Sequence, residues 1–170
     1  MSVQPVIRSG RLMTRKADFN AEEWQTVVNG PLYAGMRVIA ADRGGTLRET
    51  MAMGQVYQDA RAKTTGTGLI DELVKTPPAI DPQHLQQAGA DIGAVTVQHL
   101  NQAMRILEAK ATPQEIDAYK VFVMTVAQTV ASAHREGGFL GIGGTEISQA
   151  EEQALDEISG ALGAPPAGAS

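Results

Sequence analysis

The chain has 170 residues, with 14 Lys and Arg against 19 Asp and Glu for a formal charge of −5, seven aromatic residues and no cysteine. That length suits one core burying roughly 70% of the unfolded chain's surface and leaves too little for two domains of ordinary size. Without cysteine there are no disulfides, thiolate metal sites or thiol nucleophiles, and an acidic chain with no basic run argues against recognition of nucleic-acid phosphates.

Twenty-five alanines and few β-branched runs favour helix, because alanine loses no side-chain entropy there. Residues 1–18 are expected to form a flexible arm. Asn20 and Glu23 have capping-box spacing, and Phe19 stands where it can staple to Trp24, so a helix is expected from Asn20 toward Ala41. Pro31 follows Gly30 inside that segment, and a kink or a break is expected there. Gly44 and Gly45 end the segment, and a second helix is expected over Leu47 to Ala62. A short helix over Leu69 to Lys75 is stopped by Pro77 and Pro78. Asp81 and Pro82 then open a long helix to Lys110, with Ile92, Val95, His99 and Ile106 on one face and Leu100, Met104 and Leu107 widening it.

Thr112, Pro113 and Glu115 start the next helix, in which Ile116, Tyr119, Val123, Val126 and Val130 recur at helical spacing as far as Arg135. Ser148 and Glu151 form a third capping box, opening a last helix that buries Ala154, Leu155, Ile158 and Leu162. Residues 163–170 are an Ala/Pro/Gly tail expected to be disordered. The first and fifth helices run a similar distance from cap to double glycine, which fits two pseudo-repeated halves or two unrelated capped helices. The expected fold is all-α: one bundle of about six helices over residues 19–162.

Three features bear on function. Phe139, Leu140 and Ile142 stand among five glycines between two helices, and side chains of that size outside any helix either plug the core or form an apolar finger for a partner. The same glycines lack a preceding strand and a Gly-Lys-Ser/Thr ending, so a phosphate loop is disfavoured. Asp42, Glu49, Glu146 and Glu151 lie near helix ends and carry the oxygen ligands that a hard cation such as calcium or magnesium takes. Among the histidines, His84, His99 and His134, no metal-binding pair occurs, and His99 reads as a core histidine with a hydrogen-bond partner.

Ala40-Ala41-Asp42 with the following glycines and Glu49, together with Gly143 to Glu151, resemble the turns between helices of the tellurite-resistance TerB-like family. That resemblance implies an all-helical domain with pseudo-repeated halves, acidic residues suited to divalent cations, and roles in stress-related or membrane-associated assemblies. Arg43 and Gly44 in the first turn, and Gly137-Gly138 with the apolar insertion in the second, depart from the family pattern. The stretch Glu136 to Gly144 also resembles one found in small bacterial proteins.

The expected function is that of a non-enzymatic protein-interaction or scaffold module using Phe139, Leu140 and Ile142, with no cofactor. Its partner would be another protein or a second copy, with peripheral membrane contact as a further option and no nucleic acid. No segment approaches the roughly 18 apolar residues of a membrane span and residues 1–12 lack a signal-type apolar run, so a cytoplasmic location is expected. The alternative is a TerB-like cation-binding domain that holds calcium or magnesium through Asp42, Glu49, Glu146 and Glu151. A small helical enzyme is the third option, and no motif supports it.

Overall fold

The computed structural model describes residues 13–41, 47–63, 68–76, 78, 91–136 and 147–164, with the backbone alone for residues 47–50 and 134–136. A 3-10 turn at Lys16–Asp18 precedes α1 (Ala21–Ala41), α2 (Leu47–Ala62), α3 (Leu69–Lys75), α4 (Ile92–Lys110), α5 (Pro113–Glu136) and α6 (Gln149–Leu162). Among the described residues there are six α-helices and no strand, so the fold is an all-α bundle. The expected start of α4 at Asp81 and Pro82 and the tail 165–170 lie outside the described residues.

Local chemistry explains where the helices begin. The Asn20 amide N–H donates to Glu23 Oε2 and the Glu23 N–H donates to Asn20 Oδ1, each at 2.8 Å. Two otherwise unpaired donors at the start of α1 are thereby satisfied. Phe19 and Trp24, one residue outside the cap and four inside it, bring their ring centroids to 5.4 Å and close the staple. Thr112 with Glu115, and Ser148 with Glu151, repeat the reciprocal pair at α5 and α6. At the other end of α6, Gly163 takes the left-handed conformation at φ 61°, which lets Ala164 N–H turn back to the Ser159 carbonyl at 3.0 Å.

α1 lies at the centre, packed against α4, α5 and α6; α2 and α3 close over α5, and α6 bridges α4 and α5. The core draws Val27, Val28, Ala34 and Val38 from α1, Leu100, Ala103 and Leu107 from α4, and Tyr119, Val123, Val126 and Val130 from α5. Leu69, Leu73, Ala154, Ile158 and Leu162 complete it. On α4 the buried stripe runs through Thr96, Leu100, Ala103, Met104 and Leu107, while Ile92, Val95, His99 and Ile106 are only half-buried. The buried stripe is therefore turned from the face expected around His99 toward Leu100, on a helix that packs against both α1 and α6.

The expected break at Pro31 does not occur, and α1 runs through it as a single helix. Proline has no N–H for the carbonyl four residues back, here that of Val27. The Tyr119 hydroxyl on α5 donates to that carbonyl at 2.9 Å. A neighbouring helix thus supplies the donor that proline removes, and the Val27 carbonyl stays paired. Gly30 makes the approach possible, since a Cβ at that position would overlap the Tyr119 hydroxyl oxygen.

The end of the expected arm is tied to the bundle. Thr14 is 2% exposed, and its N–H and hydroxyl each reach the Glu115 carboxylate at 2.6 Å. Lys16 N–H donates to Glu72 on α3 at 2.8 Å. Lys110 Nζ donates to the Asp18 carbonyl and to the Glu23 carboxylate, and it stands over the Phe19 ring. Residues 1–12 of the arm lie outside the described residues.

Candidate functional site

Most of the residues singled out from the sequence fall where the structure makes no statement. Phe139, Leu140 and Ile142, and Asp42 and Glu146, lie outside the described residues; Glu49 is on α2 with only its backbone described. Glu151 is visible and is 2% exposed. Its carboxylate accepts from Ser148 N–H at 2.9 Å, so it serves the start of α6, where the helix dipole also favours a negative charge. The structure therefore does not bring the four acidic residues together as a described site, and among the described residues no group of three or more His, Asp or Glu is placed to hold a metal ion.

Three inward polar side chains, those of Tyr119, His99 and Thr96, converge on α1 around its proline. Beside the Tyr119 contact, His99 Nε2 lies 2.9 Å from the Thr26 carbonyl. A carbonyl only accepts, so Nε2 carries the proton. The His99 ring also lies 4.2 Å, centroid to centroid, from Tyr33. Burial pushes its pKa below the ordinary value and outweighs the opposing pull of the Thr26 carbonyl, which keeps the imidazole neutral. Thr96 Oγ1 points at the Tyr33 carbonyl at the longer distance of 3.4 Å. His99, Tyr119 and Thr96 thus act on α1 backbone, which is a structural duty.

Tyr57 is different. It is 7% exposed, packs edge-on against Phe122 at 5.3 Å, and its hydroxyl has no hydrogen-bond partner among the described residues. Burial pushes the pKa of this phenol up, as it does for Tyr119. Neither tyrosine is set to lose a proton near neutrality.

Two open grooves mark the described surface. One, of about 840 Å³, runs along the outer face of α4 past Gly93, Gln98, Asn101, Gln102 and Arg105 to Glu157 on α6. Glu157 is held by Arg37 Nε at 2.8 Å, and this contact holds its carboxyl below the ordinary carboxylate range. The second, of about 680 Å³, passes Lys16, Ala17, Phe19 and Trp24 to Thr76. There Trp24 Nε1 donates to Thr76 Oγ1 at 3.3 Å, so the indole is buried with its polar atom paired. Little in the amino-acid sequence marks the α4 groove. Its signal is the run Gln98, Asn101, Gln102 and Arg105 at helical spacing, which on its own is indistinguishable from an ordinary solvated face.

Fold and grooves together define an all-α bundle with open surface grooves, in which no described helix is long and apolar enough to cross a membrane. No family model, no curated protein and no solved structure matches the chain.

Proposed function

We propose that this chain is a non-enzymatic interaction or scaffold module that engages a protein partner through Phe139, Leu140 and Ile142. The observation supporting it is the use of the inward polar side chains. Tyr119, His99, Glu115 and Glu151, the groups from which a reaction centre would ordinarily be assembled, are each engaged with helix backbone. Recognition then falls to the surface, and the sequence puts its largest apolar side chains outside the helices between Glu136, where α5 ends, and Ser148, which caps α6.

Affinity capture from the native host, comparing the wild type with the triple variant Phe139→Ser, Leu140→Ser, Ile142→Ser, tests this reading. A partner retained by the wild type and lost by a variant with an unchanged circular-dichroism spectrum supports it. The same proteins captured by both would refute it.

A further inference from the structure

The α4 groove carries a lone cation at one end and an ion pair at the other. At one end stands Arg105, exposed and without a hydrogen bond or ion pair among the described residues. At the other end stands the Arg37–Glu157 ion pair, with Arg37 Nε 3.2 Å and Glu157 Oε2 3.4 Å from where a Cβ on Gly93 would stand, and Glu157 is the more exposed of the two. Between them the lining side chains include the amides Gln98, Asn101 and Gln102, each carrying both donor and acceptor groups. From Arg105 to Ala94, beside Gly93, the helix rises about 16 Å.

A surface with a lone cation at one end, an ion pair whose carboxylate is the more exposed partner at the other, and amides between matches a copy of itself turned through a two-fold rotation, as an isologous contact requires. With the axis between Gln98 and Asn101, antiparallel contact of two α4 helices sets Arg105 of one copy opposite Ala94 and Glu157 of the other. The pairing then occurs twice. Glu157 Oε2 accepts from Arg37 and Oε1 from Gln153, and each carboxylate oxygen has lone pairs for more than one donor. Arg105 brings a planar guanidinium suited to a carboxylate.

The geometry points to the α4 groove as a two-fold self-association surface, closed by reciprocal Arg105–Glu157 ion pairs between two copies of this chain. The inference does not rest on the function proposed above.

The absence of native cysteine makes a direct test available, because an introduced cysteine is the only thiol in the chain. The full-length protein is measured by sedimentation equilibrium up to about 1 mM, where even weak association is populated. The expected species has twice the 17.9 kDa monomer mass. It returns to monomer in Arg105→Glu, and it weakens between about 0.01 M and 1 M salt as the screening length falls from about 30 Å to 3 Å. Under oxidation Asn101→Cys, near the axis, forms a covalent dimer, whereas Gln128→Cys, exposed on α5, does not. A wild type that stays monomeric overturns the inference. So does a dimer that survives Arg105→Glu but is lost in the Phe139/Leu140/Ile142 serine variant, or equal cross-linking at positions 101 and 128.

Discussion

The Tyr119 hydroxyl stands 2.9 Å from the carbonyl of Val27, the backbone acceptor that Pro31 leaves without its usual donor. The two residues are 92 positions apart in the chain, so α1 is continuous only because α5 is packed against it. Removing the hydroxyl leaves a buried carbonyl unpaired. Tyr119→Phe is therefore expected to lower unfolding free energy by about 1–3 kcal/mol in urea titrations. In a Pro31→Ala background the residue-31 N–H becomes available to Val27, and the cost of Tyr119→Phe should shrink. A double-mutant cycle measures that coupling, and equal costs in both backgrounds would show that the two groups act independently.

The glycines of the bundle should separate by what surrounds them. Gly30→Ala drives a methyl group into the Tyr119 hydroxyl, and destabilisation of about 1–3 kcal/mol or more is expected for such overpacking. Gly35→Ala meets the Met53 sulfur at 2.7 Å, at the end of a flexible side chain that can move, so its cost should be smaller. Gly54→Ala on α2 meets nothing within 4 Å and should stabilise by up to about 1 kcal/mol, through helix propensity alone. Thermal melting of the three variants checks the order.

Tyr57 carries a buried hydroxyl with no partner among the described residues, which costs desolvation and returns no hydrogen bond. Tyr57→Phe keeps the edge-on contact with Phe122 and removes the orphaned group. Its melting temperature is expected to rise, by an amount corresponding to about 1 kcal/mol. A fall would reveal a partner for the hydroxyl in solution.

Stability should decline on acidification in two stages. His99 has a folded pKa below its ordinary 6.5, so the unfolded chain binds the proton first as pH falls through that value, and stability drops from there down to the folded pKa. Glu23, Glu115 and Glu157 have folded pKa values below their ordinary 4.5. Lys110 lowers the first and Arg37 the third; for Glu115, burial pushes upward and is outweighed by hydrogen bonds from Thr14 and Thr112. Their contribution is complete above 4.5 and is lost as pH falls through the folded values. Urea titrations of His99→Gln, which keeps a donor for the Thr26 carbonyl, should show a flatter pH dependence near neutrality than the wild type and the same decline in the carboxylate range.

The helix starts were legible because capping is local chemistry: Asn20 with Glu23, Thr112 with Glu115 and Ser148 with Glu151 lie three residues apart and need no tertiary knowledge. The continuity of α1 was not legible, since a proline in a helical pattern signals a break unless a distant residue such as Tyr119 supplies the missing donor. The turn of the buried α4 stripe away from His99 was equally hidden, because it depends on which neighbours press on the helix. Of the candidate site, Glu151 could be read as a cap from its spacing alone. Arg105 could not be singled out, since its distinction comes from Glu157, which only the packing of α6 on α4 brings to the other end of the same groove.

Unfolding of the serine triple variant at Phe139, Leu140 and Ile142 tests the central claim most directly, because it asks whether those side chains serve the core or a partner. For a surface role, the unfolding free energy in urea should stay within about 0.5 kcal/mol of the wild type, as for substitutions away from packed interiors. A loss of several kcal/mol, the scale of emptying buried apolar positions, would place the three residues in the core and contradict the account.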